Sequence, residues 1–277
     1  MTITLQGVRG SIPTTHPDTK LYGGNTSCIQ VEAEDWLLVL DAGSGIQHVN
    51  YRGDQHHNRV DILLTHLHLD HIQGLGFFRP LFDPSTEVHI WGPASSTIPL
   101  RARLGRYFSP PLFPVYFRNL TCQLFLHEID ESEFEIGPFT IQSCYVIHPG
   151  PTLGYRVADA NGVLAYLPDH EPALGSRGFF DDTRWLSGSG LAAGADLLLH
   201  DAQYTTEEYQ VRMGWGHCAM EDAIRFGAVT GAKQLLLTHH DPLHSDAMLQ
   251  QLYTQLTETT PYQVPFALAA EGMQITL

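Results

Sequence analysis

Basic residues are scarce in this chain of 277 residues: 15 lysines and arginines stand against 30 aspartates and glutamates, a formal charge of −15 with histidine counted neutral. Such a surface repels a polyanion such as tRNA or DNA unless a local basic patch intervenes, so stable nucleic-acid binding is not expected. A small anionic substrate held by metal ions is not excluded. Long apolar runs are missing as well: the longest, such as Trp36 to Leu40, are about five residues, against the roughly 20 that a membrane span needs. The opening Met1–Gly7 has no basic region followed by an apolar stretch, so no secretory signal is expected. Cysteine is limited to Cys28, Cys122, Cys144 and Cys218, with no C-x-x-C pair. That spacing reads as free thiols in a reducing cytosol, not a disulfide frame or a zinc ribbon, and a cytoplasmic protein is expected. Charged residues make up 16% of the chain and hydrophobic ones 43%, which excludes a coiled coil or a disordered chain and fits a fold with a sizeable core. Histidine breaks the pattern of scarcity, with 16 residues.

Apolar, β-branched-rich runs bounded by turn residues recur throughout. They predict strands over Thr2–Gly7, Ser27–Ala33, Trp36–Asp41, Val60–Thr65, Glu87–Trp91, Cys122–Leu126, Phe139–Ile147, Leu153–Val157, Val163–Leu167, Asp196–His200, Gln234–Thr238 and Met273–Leu277. Helical spacing is clearest late. Met220–Gly231 puts Ala223, Ile224 and Ala228 on one side, and Ser245–Glu258 puts Met248, Leu249, Leu252 and Leu256 on one face behind a Ser245 cap. A shorter helix carrying Leu75, Phe77 and Phe78 is expected after His71. No linker, repeat or low-complexity tract divides the chain. The expectation is one α/β domain over 1–277, with sheets inside and helices outside.

One segment breaks the rhythm. Thr97–Asn119 holds Pro99, Pro110, Pro111 and Pro114 among five aromatics and Arg101, Arg103, Arg106 and Arg118. A lid, a homodimer contact, and a proline-ordered surface crossing packed by its own aromatics are the three readings.

The strand ending at Thr65 runs directly into His66-Leu67-His68-Leu69-Asp70-His71. Core packing does not generate four ligand-type side chains in six residues at the end of a buried strand. His66 and His68, two apart on extended backbone, point the same way. Asp70 and His71, where the chain enters a helix, can turn toward a second point nearby. Imidazole nitrogen and carboxylate oxygen suit Zn²⁺ first, then Mn²⁺ or Fe²⁺.

On this H-x-H-x-D-H run the sequence resembles the metallo-β-lactamase superfamily, and the resemblance covers nearly the whole chain. It implies a four-layer αββα sandwich holding two divalent metal ions. His148 before Pro149-Gly150, Asp169 in Leu167-Pro168-Asp169-His170, and His239 in Leu237-Thr238-His239-His240 match the family's remaining ligands. The implied sets are His66, His68 and His148 on one ion and Asp70, His71 and His239 on the other, with Asp169 shared. His170 and His240 are the neighbours that a one-residue slip would substitute. Asp41 in Asp41-Ala42-Gly43 matches an early aspartate that orients the metal loop without binding metal; a helix-capping role explains it equally well. The loops Gly7–Pro13 and Gly23–Ser27 resemble those of the family's phosphodiesterase branches.

A second cluster, His200-Asp201-Ala202-Gln203-Tyr204 followed by Gly214-Trp215-Gly216-His217-Cys218, resembles paired motifs of the tRNase Z and cyclic-nucleotide phosphodiesterase branches. There an acidic residue orients a histidine beside the metals. Asp201 and His217 are the matching pair; Cys218 stands where the family often has serine. Phosphodiester cleavage expels an alkoxide, a poor leaving group, so a proton donor near neutral pKa lowers the barrier. Among the family's activities a β-lactamase fits least, because no export signal is seen. Phosphoribosyl cyclic phosphodiesterases carry an extra cysteine-rich zinc site that this chain lacks, and the long tRNA-gripping arm of tRNase Z has no clear equivalent. The resemblance therefore implies a cytoplasmic, dinuclear metal-dependent hydrolase of small phosphodiesters, cyclic nucleotides foremost. Asp70, His217 and Asp201 are its expected catalytic groups. A tRNase Z-like ribonuclease, a glyoxalase II-like thioesterase and a non-catalytic metal-stabilised module are the alternatives.

Overall fold

Strand β1 (Thr2–Gly7) alternates half-buried and buried side chains, sending Ile3 and Leu5 to one face as extended backbone requires. The computed structural model describes residues 1–56, 58–172, 174 and 182–277. The first half adds β2 (Cys28–Ala33), β3 (Trp36–Leu40), β4 (Arg59–Leu63), β5 (Glu87–Pro93) and β6 (Gln123–Ile129), with helices α1 (Leu69–Ile72) and α2 (Leu100–Tyr107). The second half contains β7 (Ser132–Ile136), β8 (Phe139–Tyr145), β9 (Leu153–Ala158), β10 (Val163–Leu167), β11 (Leu197–Asp201), β12 (Leu235–Thr238), β13 (Phe266–Leu268) and β14 (Gln274–Thr276). Helices α3 (Ser189–Ala192), α4 (Thr206–Arg212), α5 (Met220–Val229) and α6 (Asp246–Thr259) lie between them.

Among the described residues these strands form two seven-stranded sheets, ordered β14-β1-β2-β3-β4-β5-β6 and β13-β12-β11-β10-β9-β8-β7. In the first, β3 to β6 run parallel; in the second, β10 to β13 do. Ile3, Leu5, Val31 and Leu63 of the first sheet share one core with Ile141, Tyr155, Val157 and Leu199 of the second. The outer face of the first sheet is covered by Ile72, Leu100 and Leu104, that of the second by Leu191, Ala223, Ile224 and Leu249. The layers therefore run helix, sheet, sheet, helix, the αββα sandwich expected. Fully burying a side chain of this kind contributes about 1.5–3 kcal/mol, so three apolar clusters hold the four layers in register. No helix among the described residues is long and apolar enough to cross a membrane.

Several elements depart from expectation. The helix after His71 starts earlier and stops sooner: α1 takes in Asp70 and His71 and ends at Ile72, and Leu75–Phe77 is a separate 3₁₀ turn. Gly74, Gly76 and Pro80 deny the segment the propensity to propagate. β7, β13, α3 and α4 were not predicted. Segment 97–119 contains the unforeseen α2, and its Leu100, Leu104, Phe108 and Phe117 are buried over the first sheet.

The parallel strands set the next question. In open parallel sheets ligands bind beyond the carboxyl ends of strands, and here those ends from both sheets meet. Tyr155 of β9 donates its hydroxyl to the Leu64 carbonyl at 2.7 Å, and Tyr166 of β10 donates to Asp41 at 3.0 Å.

Candidate metal centre

The side chains that the sequence singled out lie at strand ends, except His217, which sits in the loop between α4 and α5. His66, His68, Asp70 and His71 follow β4, His148 follows β8, Asp169 follows β10, Asp201 ends β11 and His239 follows β12. Their donor atoms converge. His68 Nδ1 and His148 Nε2 are 3.1 Å apart, and His66 joins them in a group whose ligand atoms lie within 4.8 Å of one another. On the other side His71 Nε2 is 3.4 Å and His239 Nε2 3.3 Å from Asp70 Oδ2. Asp169 stands between the groups: Oδ1 is 3.0 Å from His71 and 3.3 Å from His239, and Oδ2 is 3.8 Å from His66 and 3.7 Å from His148.

The far nitrogen of each buried ring is already engaged. His71 Nδ1 donates to Asp41 at 2.8 Å, His148 Nδ1 donates to the Gly216 carbonyl at 2.9 Å, and His239 Nδ1 lies 3.2 Å from the Gln203 amide oxygen. Thr65 Oγ1 lies 3.1 Å from His66 Nδ1 while donating to Asp41. These partners fix each ring and aim the other nitrogen inward. Nε2 of His66, His71 and His239 and Oδ1 of Asp169 are buried without a hydrogen-bond partner. Buried polar atoms are normally satisfied, and four unsatisfied ones aimed at a common space fit divalent cations well.

The electrostatics agree. Burial pushes the imidazoles of His66, His68 and His148 below the ordinary value, which keeps their lone pairs free. Burial opposes charge on Asp169 too, but His239, His71 and His66 outweigh it and hold the carboxyl well below the usual carboxylate range. At His71 and His239 burial is overcome by Asp169 and Asp70, with Asp41 adding at His71; His71 rises well above the ordinary imidazole value and His239 to about 9. Protons there supply the positive charge that the carboxylates call for, and a bound cation would displace them.

His217 completes the cluster. Its Nδ1 donates to Asp201 Oδ2 at 2.7 Å, and its ring lies 4.9 Å from that of His239 and 5.0 Å from that of His148. Asp201 also accepts from the backbone N–H groups of His170, Gln203 and Cys218. Asp41 caps no helix through its side chain; it binds His71 and Thr65, the orienting role. Both slip candidates face away. His170 Nδ1 meets His200, and His240 Nε2 donates to the Ala269 carbonyl. The left-handed backbone at His239, φ 60°, separates it from its neighbour. The Gly7–Pro13 loop takes part as well: Ser11 N–H donates to Asp70 at 2.7 Å, and a Cβ at Gly10 would stand 2.3 Å from His239 Nδ1.

Residues 36–240 match the family described as the Beta-lactamase superfamily domain. The chain belongs to that superfamily. This superfamily member is 27% identical over 299 residues to the ribonuclease Z of Rippkaea orientalis, a likeness taking in 93% of this chain and 91% of that one. Two solved structures share its fold: the short form of human tRNase Z, with TM-score 0.68, 20% identity and coverage of 100% and 99% of the two chains, and yeast PDE1, with 0.67, 15%, 100% and 99%. The chain is thus a hydrolase of the beta-lactamase superfamily, in the branch that holds these enzymes, with a His/Asp cluster suited to divalent metal.

Sequence reasoning missed two contributors, Gln203 and Glu171. Glu171 is 1% exposed and accepts from Tyr209 Oη at 2.7 Å, from Gly214 N–H at 3.0 Å and from Gly216 N–H at 2.9 Å. Its place two residues after Asp169 was the available signal.

Proposed function

We propose that this chain is a dinuclear metal-dependent phosphodiesterase acting on small phosphodiesters, with cyclic nucleotides as leading substrates. The observation that carries the reading is the Asp201–His217 pair, joined at 2.7 Å beside the donor cluster. His66, His68 and His148 would hold one ion and Asp70, His71 and His239 the other, with Asp169 bridging. Zinc suits this nitrogen and oxygen set best, and manganese or iron is also compatible. When bound, two such ions lower the pKa of water and neutralise phosphate charge. The chain's own residues do the rest. Asp70 holds the proton released as water oxygen attacks phosphorus. As the opposite P–O ester bond breaks, His217 gives a proton to the departing oxygen, and Asp201 keeps the ring aimed and stabilises its charge.

Two features favour a small substrate. None of the residues within two positions of these nine side chains is Lys or Arg. Arg9, the nearest guanidinium in the Gly7–Pro13 loop, is fully buried and donates to the carbonyls of Gly23, Asp241 and His244. Exposed apolar Leu69 and Ile147 instead adjoin site residues in sequence, and exposed Trp215 stands two residues before His217, as suits a compact ligand with an apolar body. The likeness to ribonuclease Z supports a second reading, cleavage of an RNA phosphodiester.

One set of assays separates them. The zinc-loaded protein should turn over a nitrophenyl phosphodiester and cyclic mononucleotides, chelator should abolish both, and precursor tRNA should bind weakly at moderate salt. Efficient tRNA cleavage would replace the first reading with the second, and cleavage of thioesters alone would replace both. His217→Ala should keep its metals and lose roughly 10²–10⁴-fold in turnover of a cyclic nucleotide, but far less on the nitrophenyl ester, whose leaving group needs no proton. Equal losses on both would remove His217 from the acid role.

A further inference from the structure

The loop that delivers His217 is not self-supporting. Gly214 and Gly216 both have left-handed backbone, at φ 87° and 90°, and Trp215 between them is 61% exposed. The glycines of such a stretch carry the largest conformational entropy to lose. Glu171 supplies the missing order. One buried carboxylate takes the N–H groups of Gly214 and Gly216 together with the Tyr209 hydroxyl. The Glu171 backbone N–H is itself bonded to the Ile147 carbonyl at 2.9 Å, next to His148. From the other side, the Gly216 carbonyl accepts from His148 Nδ1 at 2.9 Å. A Cβ at Gly216 would stand 2.4 Å from that same nitrogen, so the loop backbone lies directly against the ring.

We propose that Glu171 is a positioning residue that sets two functions at once: the orientation of His148 as a metal ligand and the placement of His217 as a proton donor. The assignment rests on the phosphodiesterase reading only for the His217 half. Charge-assisted bonds to a carboxylate are stronger than neutral ones, and two of these hold the residues that flank Trp215. Without them the 214–216 stretch loses its tie to Glu171, the Gly216 carbonyl shifts from His148, and His217, then held by Asp201 alone, is displaced by the same motion. Displacement of a reacting group by about 1 Å costs on the order of 10²-fold in rate. Loss of a group that orients a ligand typically costs about 10–100-fold in metal affinity.

Glu171→Gln and Glu171→Ala test this, each prepared with its full metal complement. The glutamine keeps the shape and one acceptor, so it keeps the test valid if the alanine variant fails to fold. The first readout needs no substrate: competition with a chromophoric chelator should show one of the two ions bound roughly 10–100-fold more weakly, and the visible spectrum of the cobalt-substituted protein should change. The second readout is the ratio of turnover on a nitrophenyl and an alkyl phosphodiester. The alkyl ester should lose at least tenfold more than the nitrophenyl ester, because only the former needs the proton. Unchanged metal affinity and cobalt spectrum, with equal losses on both esters, would overturn the proposal and leave Glu171 a general stabiliser of the fold. If the wild-type protein hydrolysed neither ester, the phosphodiesterase reading would fail separately, and the metal measurements would still decide whether Glu171 orients His148.

Discussion

Aspartate 169 has more to lose by substitution than any other side chain here. Its two oxygens reach toward four histidines, His66 and His148 on one side and His71 and His239 on the other. Asp169→Ala should therefore lower binding of both ions, while loss of His68, the exposed member of the cluster, should weaken one. Metal analysis after dialysis checks this, and retention of two ions by Asp169→Ala would contradict the bridging role. A second residue-scale prediction concerns His200, which touches none of the seven proposed ligands. Burial holds it down to about 4 from the ordinary 6.5, and its Nδ1 donates to the Asp201 carbonyl. A histidine lowered in the fold stabilises fully above its unfolded pKa and loses that contribution as pH falls toward its folded pKa. The shift is worth about 3 kcal/mol, so urea unfolding should show stability falling between roughly pH 6.5 and 4. His200→Gln should flatten part of that slope; an unchanged slope would show that His200 is not buried neutral. At this scale four of the seven proposed ligands stood out because six consecutive residues carry them, whereas His148, Asp169 and His239 were reached only through the family resemblance. Which member of His239-His240 faces the site was not, because a left-handed φ leaves no mark on composition.

Elements were legible where pattern and propensity agreed. β1 and β10 fall on the predicted bounds, as apolar runs closed by turn residues should. β7 did not announce itself: Ser132-Glu133-Phe134-Glu135-Ile136 alternates correctly, but its two glutamates are poor strand formers and it lies at the sheet's edge. β13 is three residues long, too short for periodicity to register. Helix α6 was easier, since its cap is local chemistry, whereas the short α4 was not predicted despite its Thr205–Glu208 capping box. Ser245 accepts the Met248 N–H at 3.2 Å ahead of α6, and Leu249 and Leu256 are buried. Ser245→Ala should cost about 1 kcal/mol, read by thermal or urea unfolding, with no change in metal content. The loop after α4 shows the opposite case. Its conformation is dictated by Glu171, some forty residues earlier in the chain, and no local pattern states that partnership.

For the molecule as a whole, charge and topology pull the reading in one direction. Its 15 lysines and arginines stand against 30 aspartates and glutamates, a balance that disfavours displacing counterions from a nucleic acid. The double sheet was expected only through the family resemblance; periodicity alone predicted sheets inside and helices outside. The position of the centre has a further consequence for unfolding. Residues 66–71 come from one sheet and His148, Asp169 and His239 from the other. Any ion held by both groups is a cross-link between stretches of chain far apart in sequence, fastened after the fold has closed. Such a link adds to the barrier for opening as well as to equilibrium stability, because the seam between the sheets cannot part until a ligand lets go. Chelation should then quicken unfolding and bring protease cleavage and amide exchange first to the seam, where the Leu153 N–H meets the Thr65 carbonyl at 2.9 Å. The ladder between β1 and β2, which spans no ligand, should keep its protection. A metal held there would serve the protein as a latch whose release is a kinetic event, and metal supply would govern how long each molecule survives.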